Sequence, residues 1–297
     1  MLALYHEPII QKLNEGLFDE AKVEVYIKRE DLIHPMVSGN KWRKLKYNLV
    51  EAKRQNFHTL LTFGGAYSNH IYATAAAAKE AGFKSIGIIR GEEHPELNET
   101  LSFATSQGMV LSYMDRTTYR QKNSTAILNG LKDRFGECYI IPEGGTNALA
   151  ISGAKEVVDE NVKKFDYLCV SVGTGGTMAG LITGMEGTNE VLGFSSLKGE
   201  FLSEEVEKLL LDSGNSRLHN WSINTQYHFG GYAKVKPQLM EFMHRFESQH
   251  QILLDPVYTG KMMFGIYEMI KNGHFKSGSR ILAVHTGGLQ GRVGFGL

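Results

Sequence analysis

The sequence predicts an α/β protein of two domains, built on mostly parallel, twisted sheets flanked by helices. Three observations predict it. Short β-rich runs alternate with helix-length segments along almost the whole chain, several runs end in glycine clusters, and 297 residues exceed the usual size of one domain. Alternation with connections of this length favours parallel pairing, and ligands of such sheets collect at the carboxyl ends of strands.

Taken in order, "VEVYIKRE" (23–30) is a half-buried strand, because Val23, Val25 and Ile27 alternate with Glu24, Tyr26 and Lys28. "SGNKWRKLKYNL" (38–49) opens a helix on a Gly-Asn turn, with Trp42, Leu45 and Leu49 on one side. The strand "HTLLTF", a glycine turn, the alanine-rich helix "NHIYATAAAAKEA" stopped by Gly82, and the strand "KSIGIIR" make a β-α-β unit. The pattern continues through "MVLSYM", "CYIIP", "YLCVSV", "EVLGFSS", "WSINTQY" and "RILAVH". No internal repeat and no linker rich in Pro, Gly and Ser marks a domain boundary.

Lys plus Arg and Asp plus Glu number 32 each, which removes the electrostatic case for a nucleic-acid or anionic-membrane partner. The basic run Lys41, Arg43, Lys44 and Lys46 is therefore local. Cys138 and Cys169 sit in apolar runs, as reduced, buried thiols of a cytoplasmic enzyme do, and a catalytic thiol has little support. No segment resembles a signal peptide or approaches the ~18 uninterrupted apolar residues of a membrane span. The histidines show no ligand spacing, so no metal site is expected.

Three strand ends carry glycine clusters flanked by hydroxyl side chains: "TFGGAYSNH" (62–70), "SVGTGGTMAG" (171–180) and "VHTGGLQG" (284–291). Together they suggest one polar ligand approached by backbone from several directions. The second enters an apolar helix and aims free N–H groups and a positive helix end at its ligand, as a phosphate site does; a tight turn for close packing is the competing reading. It is neither a dinucleotide fingerprint, since Met178 replaces the third glycine, nor a nucleotide-triphosphate loop, since no Gly-Lys-Ser/Thr follows. In "GAYSNH" a serine-hydrolase elbow fails, because Ala66 and His70 stand where glycines are needed. What remains is a helix N-terminus capped by Ser68 and Asn69 and suited to a carboxylate; Ser68 as a plain helix cap is the alternative.

A phosphate cradle, a carboxylate nest and Lys41 beside a Gly-Asn turn fit pyridoxal phosphate: a lysine holds it as a Schiff base, and an amino-acid substrate supplies the carboxylate. The stretches "IKREDL" with "SGNKWRKL", "GGAYSNH", "PEGGTN", "SVGTGGT", "LDPVYTGKM" and "HTGGLQG" resemble, in order and over nearly the whole chain, the 1-aminocyclopropane-1-carboxylate deaminase and D-cysteine desulfhydrase family of tryptophan synthase β-like pyridoxal enzymes.

The resemblance implies that Lys41 forms the Schiff base, that Asn69 meets the cofactor's 3-hydroxyl, and that Gly173, Thr174, Gly175, Gly176 and Thr177 bind its phosphate. It also implies that Ser68, Asn69 and His70 hold the substrate carboxylate, largely through backbone N–H groups, and that Thr286 faces the pyridine nitrogen. Lys41, Ser68 and Tyr258 are the candidate catalytic groups, with Tyr258 a proton donor or a ring-stacking partner. Lys41 must be neutral to react; desolvation beside other cations lowers an amine's pKa, so Arg43 or Lys44 assists if it points inward.

Ring-opening members of the family typically carry glutamate and leucine where this chain has Thr259 and Thr286, which follow the desulfhydrase pattern. The expected reaction is α,β-elimination on D-cysteine to pyruvate, ammonia and sulfide. The alternatives are ring opening of 1-aminocyclopropane-1-carboxylate to 2-oxobutanoate and ammonia, and a non-catalytic phosphate-ligand binding protein. Tyr67, where relatives usually have glutamine, and the region "QYHFGGYAKVKP" (226–237) depart from the better-known desulfhydrases, and both, with Thr259, are expected at the substrate pocket. Residues 1–44 and 156–297 are expected to form a large cofactor-binding domain and 45–155 a small one, in a homodimer as the resemblance implies.

Overall fold

In a computed structural model describing residues 2, 4–93 and 95–297, ten strands form: β1 (Ile10–Leu13), β2 (Glu24–Lys28), β3 (Thr59–Gly64), β4 (Lys84–Arg90), β5 (Met109–Met114), β6 (Tyr139–Ile141), β7 (Tyr167–Val172), β8 (Glu190–Ser195), β9 (Trp221–Asn224) and β10 (Arg280–Val284). They make two sheets, ordered β1-β2-β10-β7-β8-β9 and β5-β4-β3-β6. All pairings are parallel except β1 with β2. The edge strand β1 was not foreseen, because "IQKL" is half exposed and shows no period of two.

In the larger sheet, β7 and β10 are buried on both faces, as central strands of helix-covered parallel sheets are. Cys169, Ile281 and Ala283 face one core, closed by the helices Pro237–His250 and Thr259–Lys271. Leu168, Val170, Val172, Leu282 and Val284 face the other, beneath Gly176–Met185 and Leu202–Asp212. In the smaller sheet, the helix Asn69–Ala81 buries Ala73, Ala76, Ala77 and Ala78, whose short side chains let it pack closely beside helix Asn40–Arg54. Gly82 ends it in the left-handed conformation that favours glycine, with φ 78°. Both cysteines are buried and free. Among the described residues no helix is long and apolar enough to cross a membrane.

All four strands of the smaller sheet lie between residues 45 and 155, and all six of the larger lie outside that interval. Helix Asn40–Arg54 starts beside the larger sheet and packs by Trp42, Leu45 and Leu49 into the core of the smaller. Its neighbour Ala148–Lys155 touches it where a Cβ on Gly153 would stand 1.9 Å from the Arg43 carbonyl oxygen. On its other side the same neighbour meets helix Gly176–Met185, where a Cβ on Gly180 would stand 2.5 Å from that of Ala154. Three helices are thus locked at backbone distance.

Gly153→Ala tests that lock. Helix propensity alone favours alanine by about 1 kcal/mol. A contact of 1.9 Å to backbone oxygen leaves no room for the methyl, so the helices must separate. The expected net loss is about 1–3 kcal/mol in urea unfolding; wild-type or higher stability would contradict the packing.

Candidate active site

A cavity of about 400 Å³ opens where the carboxyl ends of β3, β7 and β10 meet the first turn of helix Asn40–Arg54. The Gly-Asn turn has a steric cause. Gly39 adopts φ 60°, and a Cβ there would lie 2.1 Å from the Thr286 carbonyl oxygen, which itself accepts the Asn40 N–H at 3.2 Å. The start of the helix is thereby pinned to the end of β10, and Lys41 points into the cavity.

Lys41 Nζ donates to Asn40 Oδ1 at 2.9 Å, and Asn40 Nδ2 donates to Thr177 Oγ1 at 3.0 Å. One side chain therefore joins the amine to the second glycine cluster. Burial lowers the Lys41 amine to about 8, against the raising influence of Asp255. Lys44, one turn further on, is 2% exposed and donates to Thr146 Oγ1 at 2.8 Å; burial, then the charge of Lys41, holds its pKa well below the ordinary lysine range. Arg43 does not point inward: it is paired with Glu30 at 2.9 and 3.1 Å. Of the two cations considered, only Lys44 serves the cavity.

After β7 the chain passes through Gly173, Thr174 and Gly175, the last at φ 76°, into helix Gly176–Met185, which no side chain caps. Its first N–H groups lack intrahelical partners. Glycine is required by close approach: a Cβ on Gly176 would meet Thr146 Cγ2 at 2.8 Å, and one on Gly173 the Tyr258 ring at 3.0 Å. Thr146 Oγ1 lies 2.7 Å from Thr174 Oγ1, bringing Lys44 to the same cradle. Bare N–H groups, a helix N-terminus and two buried amines with no carboxylate at ion-pair distance among the described residues fit a phosphate dianion.

The carboxylate nest differs in detail from expectation. Ser68 Oγ accepts the N–H groups of His70 and Ile71 at 3.2 and 3.3 Å, so it is the helix cap and takes up one of the donors assigned to substrate. Its own hydroxyl proton and the N–H of Asn69 remain for a carboxylate. His70 is 2% exposed. Thr62 Oγ1 spends its proton on the Ile141 carbonyl at 2.8 Å, so at 2.8 Å from His70 Nε2 it accepts; His70 carries its proton on Nε2 and keeps Nδ1 as a buried acceptor without a partner among the described residues. Burial, then Lys41 and Lys44, hold its pKa well below the usual value.

Asn69, Tyr67, Thr286 and Tyr258 also line the cavity, with Tyr67 at its exposed rim. Thr286 Oγ1 lies 3.2 Å from Ser171 Oγ. Thr259 does not reach the cavity. It is fully buried, donates to Asp255 Oδ1 at 2.7 Å and accepts the Asp255 N–H at 2.9 Å, because it is the first residue of a helix whose N–H groups Asp255 satisfies. Asp255 also accepts the Tyr258 N–H at 2.9 Å, and so sets the tyrosine's position. Burial first, then Tyr232 and Asp255, hold the Tyr258 hydroxyl well above its ordinary pKa, hence protonated.

Sequence reasoning missed Asn40, Thr146, Asp255 and Tyr232 as individual residues. Each lies inside a stretch already singled out, "SGNK", "PEGGTN", "LDPVY" and 226–237, but only the fold shows which atoms face the cavity.

The chain belongs to the family described as pyridoxal-phosphate dependent enzymes, which matches residues 10–287. Among its relatives, the Arabidopsis thaliana protein named bifunctional D-cysteine desulfhydrase/1-aminocyclopropane-1-carboxylate deaminase, mitochondrial, is 32% identical, over 90% of this chain and 73% of its own. The D-cysteine desulfhydrase of Salmonella typhi is 29% identical, over 89% and 87%. A crystal structure described as an ACC deaminase homologue superimposes with TM-score 0.85 at 29% identity, covering 99% of this chain and 93% of the other. The chain is thus a pyridoxal-phosphate-dependent enzyme of the tryptophan synthase β-like fold, and its cofactor is pyridoxal 5'-phosphate.

Only the neutral amine attacks an aldehyde, so with Lys41 at about 8 the reactive fraction grows with pH below that value and saturates above it. Uptake of pyridoxal phosphate by the cofactor-free chain, followed by visible absorbance, should quicken about tenfold per pH unit and level off above pH 8. A rise continuing past pH of about 10 would mean an ordinary, solvated lysine.

Proposed function

We propose that the chain is a lyase that carries out α,β-elimination on a small amino acid, D-cysteine, releasing pyruvate, ammonia and sulfide. The observation that carries the reading is the Asn40 bridge: it sets an amine of lowered pKa at a fixed distance from the phosphate cradle. When bound, pyridoxal phosphate supplies the electron sink for the pair left on Cα when its proton is removed.

The roles of the chain's own residues follow from their surroundings. Lys41 would anchor the cofactor and, when free and in its neutral form, would serve as the base for the Cα proton. Gly173 to Thr177, with Lys44, hold the phosphate. Ser68 through its hydroxyl and Asn69 through its N–H orient the substrate carboxylate, and the bare Nδ1 of His70 accepts a donor from the ligand side. Thr286, which lines the cavity, would offer the ring nitrogen a neutral hydroxyl rather than a carboxylate, which would favour prompt loss of a leaving group. Tyr258, kept protonated, is an acid and not a base, and its proton goes to the departing sulfur. Thr259 acts at one remove, fixing Asp255 and through it Tyr258.

A second reading, ring opening of 1-aminocyclopropane-1-carboxylate, is favoured by the bifunctional Arabidopsis relative. The two sheets are read as the two domains, divided at 44/45 and 155/156 and joined by helix Asn40–Arg54; the family likeness supports a homodimer in the cytoplasm.

Purified enzyme should release pyruvate from D-cysteine faster than from L-cysteine or D-serine, and Lys41→Ala should abolish both turnover and the visible absorbance. Release of 2-oxobutanoate from the cyclopropane amino acid without turnover of D-cysteine would reverse the preference. Absence of any visible absorbance would leave a non-catalytic binding protein.

A further inference from the structure

Lys261 is 1% exposed, yet its ammonium meets no carboxylate at ion-pair distance among the described residues. It donates instead to two backbone carbonyls, His228 O at 2.9 Å and Gly231 O at 2.8 Å. A buried cation served only by carbonyl dipoles is costly to maintain, so what it holds is informative.

What it holds is a strained arm. Phe229 and Ala233 adopt φ of 56° and 53°, in the left-handed region that non-glycine residues avoid, and Gly230 and Gly231 adopt 104° and 115°. Such conformations persist only where their surroundings over-determine them. Here the surroundings converge on the two carbonyls that Lys261 binds. His228 O also accepts the Gly231 N–H at 3.0 Å, Gly231 O also accepts the Lys234 N–H at 3.1 Å, and His228 Nδ1 accepts the Gly230 N–H at 2.8 Å. Phe229 packs edge-on against Phe264, one turn beyond Lys261 on the same helix, with centroids 5.0 Å apart.

The arm carries Tyr232 to the cavity, where its ring stands 6.2 Å from that of Tyr258 in an edge-on arrangement. Tyr258 directly precedes the helix on which Lys261 lies. One helical turn therefore presents the first tyrosine and clamps the second.

We propose that Lys261 is a positioning residue: its ammonium holds the 228–234 arm closed and so fixes Tyr232 opposite Tyr258 over the substrate cavity. The clamp itself does not depend on which amino acid is bound; its consequence for turnover rests on the elimination reading above.

The test is amide hydrogen exchange on the cofactor-free chain, followed by kinetics on the loaded enzyme, for wild type, Lys261→Met, Tyr232→Phe and the double variant. In Lys261→Met, exchange at Gly230, Gly231 and Lys234 should quicken at least about tenfold while the amides of β7 and β8 keep their protection. Cofactor affinity should hold and kcat/KM fall, and the double variant should be no worse than the poorer single one, because both changes remove the same placed phenol hydroxyl. Unchanged exchange in the arm, faster exchange throughout the chain, or additive kinetic losses would overturn the proposal. If Lys261→Met does not fold, Lys261→Gln, which is shorter and carries no charge to the two carbonyls, is read by the same criteria. If wild type does not turn over D-cysteine, the exchange result still decides the clamp, and only the elimination reading fails.

Discussion

The carboxamide of Asn40 faces two ways, accepting from Lys41 and donating to Thr177, and the cavity depends on that double engagement. Neither partner belongs to the same segment: one opens the helix that runs into the smaller sheet, the other lies in the first turn of a helix on the larger. Gly39 makes the junction possible, because any side chain there would overlap the Thr286 carbonyl. Helix Ala148–Lys155 backs it from behind, gripping both helices through glycines at backbone distance. Reactive amine and phosphate cradle are therefore held by packing and hydrogen bonds before any ligand arrives, which is the preorganisation that covalent catalysis needs.

The electrostatics of the cavity follow from the same arrangement. Lys41 and Lys44 share one face of a helix at three-residue spacing, both largely desolvated and both, among the described residues, short of a carboxylate at bonding distance. Desolvation shifts both amines toward the neutral form, and as hydrogen-bond donors beside the bare helix N–H groups they suit an anionic phosphate. Asp255 is the nearest counterweight, but its oxygens are occupied by the N–H groups of Val257, Tyr258 and Thr259 and by the Thr259 hydroxyl. The carboxylate is thus spent on building a helix start, and its charge acts on Lys41, Tyr258 and Lys261 only through space.

Much of the fold was legible because period and punctuation agree. The run "KSIGIIR" is β4 from end to end, and "NHIYATAAAAKEA" is its helix with Gly82 as the stop. The strand β1 was illegible, since of its four edge residues only Leu13 is buried, too few to impose a period. At the site, sequence pattern and resemblance located the segments better than the atoms. Lys41 and the glycines line the cavity as expected, whereas Thr259 turned inward, because a residue at a helix start can serve either the ligand or the helix and spacing does not distinguish them. Arg43 and Lys44 look alike in sequence; Glu30, thirteen residues upstream, claims one and leaves the other to the cavity. Pairings of that kind are tertiary, and no local pattern encodes them.

The central claim is that Lys41, rather than Lys44 or Lys261, is the amine that bonds the cofactor. Reduction of the loaded enzyme with borohydride, digestion and mass spectrometry of the peptides tests it most directly. The account predicts a single phosphopyridoxyl group, on Lys41. The same label on Lys44 or Lys261, or none on residues 38–49, would contradict it.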